Sequence, residues 1–224
     1  MVATMSTPSV FLVDVYDTIL TCDFRAHVTE LPALAGIGAQ RWNEAWVPLG
    51  PDLTEGRITV AEAYEQVVKT CGKEATPELV GALQRRDLEL LRQWTHLYED
   101  TATFFGRVRE AGKRSCLVSN CSDTTRAQLV ELGVDRMVDA MVLSCEAGVA
   151  KPAAQIYLLA LEQLDAAAAE AVFVDDQVRY CEGAEALGIR SFQMLRGQPG
   201  PGQVPAAQAS VATVHSFDDL SELI

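Results

Sequence analysis

Five short apolar runs constrain this chain more than any other feature: VFLVDV (10–15), SCLVSN (115–120), AMVLSC (140–145), AVFVDD (171–176) and SFQML (191–195). They are rich in β-branched and aromatic residues and apolar without strict alternation, the pattern of strands buried on both faces. Stretches of helical period lie between the later ones: TTRAQLVELG (124–133), AQIYLLALEQL (154–164) and RYCEGAEALG (179–188), with Gly133 and Gly188 placed as C-terminal stops. Strands alternating with amphipathic helices predict an α/β fold, a Rossmann-like doubly wound parallel sheet covered on both faces. In that architecture ligands bind beyond the carboxyl ends of the strands. The polar residues at those ends are Asp14, Ser119, Asn120, Asp175 and Asp176, so distant segments are expected to converge on one crevice.

The interval between the first two runs is different. Residues 21–98 hold no clear β-run but show helical patterns in VAEAYEQVVKTCG (60–72) and PELVGALQRRDLELLRQW (77–94). We expect a helical cap over 21–98, inserted into a core domain made of 1–20 and 99–224 and lying over the strand ends. A helix at 101–112 returns the chain to the core. The segment GQPGPGQVPAAQ (197–208) reads as a Gly/Pro-rich loop, and VATVHSFDDLSELI as a short strand and helix. Trp42, Trp46 and Trp94 are expected to pack the cap helices together.

Composition narrows the function classes. A chain of 224 residues suits one sizeable domain, or a core domain with a smaller one inserted. A formal charge of −13 argues against nucleic acid or an anionic membrane as partner. No run reaches the ~18 to 20 apolar residues of a membrane span, and the segment MVATMSTPS lacks a basic region followed by an apolar one. A cytoplasmic location and a small-molecule substrate are expected, and the amphipathic cap offers a face for a homodimer. The six cysteines are scattered with no CxxC pair, which predicts free thiols in a reducing compartment. His27, His96 and His215 show no metal-ligand spacing.

Four segments carry chemistry. DVYDT (14–18), LVSN (117–120), the Lys151-Pro152 pair in GVAKPAAQIY and FVDD (173–176) resemble, in order, the four motifs of the haloacid dehalogenase superfamily of hydrolases. That family places a helical cap after its first motif. The resemblance implies that Asp14 is a nucleophile forming a covalent intermediate that water hydrolyses. It implies that Thr18 and Ser119 supply hydroxyl donors and that Lys151 offsets negative charge. Asp175 with Asp176, together with Asp14 and the main-chain carbonyl of Tyr16, would hold Mg²⁺, a hard cation that prefers oxygen. Asn120 would orient the substrate or cap the next helix, and Arg41 would anchor an anionic group from the cap.

Tyr16 departs from the pattern. Phosphatases of the superfamily have a second Asp there as general acid and base, and a Tyr of pKa about 10 cannot replace it near neutrality. Asp17, in place of the usual Gly, could serve if the chain has left the strand by that point; otherwise alternation points it away from Asp14. A tyrosine at this position is shared with the metal-independent 2-haloacid dehalogenases, whose leaving halide needs no proton. Their fourth motif typically has Ser and Asn, however, where this chain has Asp175, Asp176 and Gln177, with Tyr180 at a later position that is Asp in those enzymes. Adjacent acids beside an anionic nucleophile make sense with a divalent cation. A Mg²⁺-dependent phosphatase acting through an aspartyl phosphate on Asp14 is therefore the first expectation. A metal-free dehalogenase using Asp14 and a catalytically impaired binding protein are the alternatives.

Overall fold

The computed structural model describes residues 7–197 and 203–224. Residues 198–202, the middle of the expected Gly/Pro-rich loop, lie outside that range. In chain order the strands are β1 (Val10–Val13), β2 (Leu20–Cys22), β3 (Thr95–Leu97), β4 (Arg114–Ser119), β5 (Ala140–Leu143), β6 (Ala171–Asp175), β7 (Arg190–Met194) and β8 (Ala212–Val214). The helices are α1 (His27–Leu34), α2 (Ala39–Trp46), α3 (Gly50–Thr54), α4 (Val60–Thr70), α5 (Pro77–Trp94), α6 (Thr101–Glu110), α7 (Thr125–Glu131), α8 (Ser144–Ala147), α9 (Ala154–Gln163) and α10 (Val178–Glu185). A 3₁₀ turn, Phe217–Leu223, follows β8.

Six strands form one parallel sheet in the order β5-β4-β1-β6-β7-β8. Every residue of β1 is fully buried, because the pleat sends alternate side chains into two different layers. Phe11 and Val13 pack with Phe104, Phe105 and Val108 of α6 and with Phe217. Val10 and Leu12 pack with Ile156, Tyr157 and Ala160 of α9 and with Cys181 and Ala184 of α10. This is why the runs read as continuously apolar. Burying each such side chain stabilises the fold by about 1.5–3 kcal/mol. Val13 lies level with Leu117 of β4 and Val174 of β6, so Asp14 leaves the sheet between the ends of its two neighbours. Its N–H donates to the Val174 carbonyl at 2.9 Å.

Helices α1, α2, α4 and α5 pack around Leu31, Trp42, Tyr64, Val67, Leu83 and Leu90. Thr59 and Glu62 open α4 with a reciprocal capping box, and Thr76 caps α5 with Pro77 at its first position. The expectation of no β-structure in 21–98 is corrected at its margins. β2 and β3 pair antiparallel, with Leu20 opposite Leu97 and Cys22 opposite Thr95. Strands of three residues are too short to display a period, so pairing at the neck of the insertion escaped detection.

The helical insertion touches the sheet domain through α3, the start of α4, and α5, whose Arg92 pairs with Glu131 of α7 at 2.9 Å. Ser144 Oγ donates to the Thr54 carbonyl at 2.6 Å, and Val60 N–H donates to Asp123 Oδ1 at 3.0 Å. Gly56 has φ +67°, and a Cβ there would lie 1.8 Å from the Cys145 carbonyl oxygen. Gly56→Ala therefore meets both a left-handed backbone and hard contact with a main-chain atom. It is expected to lower stability by about 1–3 kcal/mol, read as an earlier urea midpoint; an unchanged midpoint would show that the contact yields without cost.

Candidate active site

Four ionisable side chains from two strand ends and one loop meet beyond β1. Lys151 Nζ lies 2.5 Å from Asp14 Oδ1 and 2.6 Å from Asp175 Oδ2. Asp14 and Asp176 are 5% exposed, Lys151 4% and Asp175 not at all, so all four charges are out of bulk water. One carboxylate oxygen from each of Asp14, Asp175 and Asp176 falls within a 4.8 Å cluster. Burial is the main influence on all three acids and pushes Asp14 up to about 7 against the pull of Lys151. Asp175 and Asp176 are pushed up to about 6, again chiefly by burial, with repulsion between neighbouring carboxylates adding to it. Burial alone would lower Lys151, but Asp14 and Asp175 together hold it above the usual lysine range. Three carboxylates against one ammonium leave two negative charges uncompensated when all are ionised. Hard oxygen donors with that deficit fit a divalent cation such as Mg²⁺.

The surroundings fix Lys151 closely. Asn120 accepts the Lys151 N–H through Oδ1 at 2.7 Å, while its Nδ2 donates to the Lys151 carbonyl at 3.0 Å and to the Tyr180 hydroxyl at 3.2 Å. The Lys151 ammonium sits 5.0 Å from the Tyr180 ring centre and 5.5 Å from that of Phe173, within cation–π range. Asn120 thus braces the lysine loop, and the amide is spent on main chain rather than left free. The Asp175 Oδ1 accepts from Gln177 N–H at 2.8 Å, and Gln203 donates to Asp176 Oδ2 at 3.0 Å. Arg196, to which no motif pointed, donates from Nε and a terminal nitrogen to the Thr18 carbonyl at 3.1 and 2.9 Å while pairing with Asp100 at 2.6 Å.

Two hydroxyls stand apart from this network. Thr18 Oγ1 and Ser119 Oγ are buried, and neither has a hydrogen-bond partner among the described residues. An unsatisfied buried hydroxyl costs about 1–3 kcal/mol. Both belong to the segments that carry Asp14 and the end of β4.

β1 ends at Val13, and the chain turns at once: Ile19 and Leu20 N–H donate to the Val15 carbonyl, and Asp17 adopts φ +55°. Alternation therefore does not govern Tyr16 and Asp17. The Tyr16 hydroxyl donates to Gln128 Oε1 at 3.1 Å and lies 3.0 Å from Thr125 Oγ1, bound to α7. Asp17 is exposed as a residue, yet partial burial of its carboxyl raises it above the ordinary range, and its charge is close enough to raise Asp176.

A family model of haloacid dehalogenase-like hydrolases matches residues 8–188. The chain belongs to that family. Among curated proteins, this haloacid dehalogenase-like hydrolase is similar to a ribulose-1,5-bisphosphate 5-phosphatase of Halopiger xanaduensis, 30% identical over 131 residues, 57% of this chain and 55% of that protein. It is also similar to a glyceraldehyde 3-phosphate phosphatase of Methanopyrus kandleri, 26% identical over 137 residues, 60% of this chain and 59% of the other. The matches span a little over half the length of these curated relatives. Among solved structures, a family enzyme of Bacteroides thetaiotaomicron in complex with magnesium and inorganic phosphate aligns with TM-score 0.69 at 19% identity, covering 85% of this chain and 96% of that one. An L-2-haloacid dehalogenase of Xanthobacter autotrophicus with covalently bound chloropropionic acid aligns with TM-score 0.66 at 19% identity, covering 96% and 98%. At such identities the likeness is one of fold.

A cavity of about 480 Å³ opens between the helical insertion and the loops after β1 and β4, lined by Tyr16 and Asn120 and by none of the four residues of the acidic cluster. Tyr16, Asn120, Cys121 and Ser122 form its floor, and Phe24, Trp42, Trp46 and Tyr64 contribute aromatic wall. The tryptophan expectation is corrected here: Trp42 and Trp46 stack on each other at 6.4 Å but also face the cavity, whereas Trp94 is 39% exposed elsewhere. Arg41 is exposed on α2 and is not among the residues that line this cavity. His27 and Asp87 were overlooked, lying sixty positions apart with nothing in the sequence to link them. Cys121 and Cys145, likewise given no role, bring their Sγ atoms to 3.8 Å. The described cysteines Cys71, Cys116, Cys121, Cys145 and Cys181 are free thiols. Among the described residues, no helix is long and apolar enough to cross a membrane.

Proposed function

We propose that this haloacid dehalogenase-like hydrolase is a Mg²⁺-dependent phosphatase of small phosphorylated molecules, working through an aspartyl phosphate on Asp14. The observation that carries the reading is the buried Asp14–Asp175–Asp176 cluster with only Lys151 to balance it. A dehalogenase displacing halide would gain nothing from the doublet.

Asp14, Asp175, Asp176 and the Tyr16 carbonyl would hold the cation, which when bound supplies positive charge against the crowded carboxylates and the phosphoryl oxygens. Lys151 holds Asp14 by Oδ1, leaving Oδ2 to attack phosphorus as the bond to the leaving oxygen breaks. The unpartnered Thr18 and Ser119 hydroxyls donate to phosphoryl oxygens, and the Lys151 ammonium stabilises charge gathering in the transition state. Asp17 gives its proton to the leaving oxygen, then takes one from the water that cleaves the acyl phosphate. Its left-handed backbone turns it out of the strand direction, and its raised pKa keeps a larger fraction protonated than an ordinary Asp.

The reading is tested by turnover of acetyl phosphate and of phosphate monoesters with Mg²⁺, lost in EDTA and restored by added cation. Halide release from a 2-haloacid that persists in EDTA would establish the dehalogenase alternative, and no turnover in either assay would leave a binding role. The assignment of Asp17 has its own signature. Asp17→Asn is expected to slow hydrolysis of an alkyl phosphate by about 10²–10³-fold while slowing acetyl phosphate far less, since that leaving group departs without a proton. Equal losses on both substrates would remove Asp17 as the acid.

A further inference from the structure

The cavity under the helical insertion has a chemistry that narrows the substrate. We propose that it receives the leaving group of the phosphate ester, and that this group is uncharged, aromatic or similarly flat and apolar, with one hydrogen-bonding group met by His27. The inference rests on the phosphatase reading and specifies its substrate class.

Position is the first support. Tyr16 and Asn120 line the cavity; Tyr16 stands two residues after Asp14, and Asn120 follows Ser119 while bracing Lys151. The loops that carry the reacting groups are therefore also the floor of the cavity. A volume of about 480 Å³ is of the size that holds small organic ligands.

Charge is the second. Among the described residues no Lys or Arg lines the cavity, and Asp87 is the one carboxyl that does. A second phosphate or a carboxylate on the substrate would enter with no cation to meet it, beside an acid already buried. The substrate of the Halopiger relative named above carries two phosphates, and this lining does not suit the second. The walls instead offer Trp46, Tyr64 and Phe24, with Leu31, Leu53 and Leu91. Phe24 and Val28 are 49% and 52% exposed at the rim, apolar surface that an apolar guest would cover.

The third is an unmet polar group. His27 is 8% exposed, and among the described residues neither ring nitrogen has a hydrogen-bond partner. Its Nε2 comes within 3.3 Å of Asp87 Oδ1 without hydrogen-bond alignment, and the Tyr64 hydroxyl already donates to Asp87. A buried imidazole left open on a cavity wall suits a hydroxyl or carbonyl of the guest.

Turnover and calorimetry on the wild type and two variants decide it. Turnover with Mg²⁺ is compared for acetyl phosphate, 2-naphthyl phosphate and ribulose 1,5-bisphosphate; kcat/KM for the naphthyl ester is expected to exceed that for the bisphosphate by at least about tenfold. Calorimetric titration with 2-naphthol reads the cavity without any chemistry, and binding is expected at or below about 1 mM. His27→Leu is expected to weaken 2,6-dihydroxynaphthalene, whose second hydroxyl stays free when the first is the ester oxygen, about tenfold while changing 2-naphthol little. Val28→Arg, at an exposed helical position that tolerates the change, is expected to narrow the preference for the naphthyl ester by improving the bisphosphate. Acetyl phosphate turnover without 2-naphthol binding, or a bisphosphate preferred over the aryl ester, overturns the substrate class and leaves the phosphatase reading standing. Naphthol binding with no phosphate turned over removes the phosphatase reading, and the leaving-group role with it.

Discussion

Asp14→Asn is expected to reduce phosphate turnover by at least about 10⁴-fold while leaving the metal-free protein as stable as the wild type or more so at pH 7.5. The loss follows because an amide cannot form the acyl phosphate. The stability result follows from the direction of the pKa shifts. Asp14 titrates near 7 in the folded chain against an ordinary 3.8, and Asp175 and Asp176 near 6. Between those limits the native state binds more protons than the unfolded state, so stability falls as pH rises through about 4 to 7. Above that window an ionised Asp14 weakens the fold, and the neutral amide relieves it. Thermal melts in EDTA at pH 5 and 7.5 check the sign: the wild type should lose stability between them by more than the variant does. A variant that melts well below the wild type at pH 7.5 would mean that the Asp14–Lys151 pair outweighs the repulsion.

Lys151→Met has the larger cost to the fold. The ammonium is buried between Asp14 and Asp175 at 2.5 and 2.6 Å, and its removal leaves carboxylates facing one another without a cation. Breaking a buried ion pair from one side typically costs about 3–5 kcal/mol. That cost is expected at pH 7.5 in EDTA and should shrink toward pH 5, where the acids take up protons and no longer repel. Urea denaturation at the two pH values measures it. Added Mg²⁺ should recover part of the stability at pH 7.5, and turnover should remain lost because the cation does not replace the Lys151 ammonium against Asp14 Oδ1. A pH-independent cost would point to lost packing against Tyr180 and Phe173 in place of lost charge balance.

The two experiments separate roles that the static site combines. Asp14 is expected to matter for chemistry and to strain the fold; Lys151 is expected to matter for both in the same direction. A purely structural cluster would show the pH dependence without the response to a cation or the loss of turnover.

Much of this was legible in the sequence for a simple reason. Strands buried on both faces must be apolar throughout, so β1, β4, β5 and β6 announced themselves, and the polar residues closing them could be assigned to one crevice from topology alone. The four motif segments required only order and spacing, which tertiary structure does not alter. The ribbon of β2 and β3 was hidden because three residues carry no period. What Tyr16 and Asp17 do was hidden because their direction depends on where β1 stops, a matter of one turn that alternation cannot foresee. Trp42 and Arg41 are adjacent in sequence, yet one faces a cavity and the other the surface, since helical rotation separates neighbours by about 100°. The meeting of His27 with Asp87, and of Cys121 with Cys145, depends on how α1 packs on α5 and how α8 follows β5. Those are contacts between distant segments, set by packing and not by any local pattern. The sequence determined the sheet and the acids at its edge; the packing of the helices over that edge decided the cavity beside them.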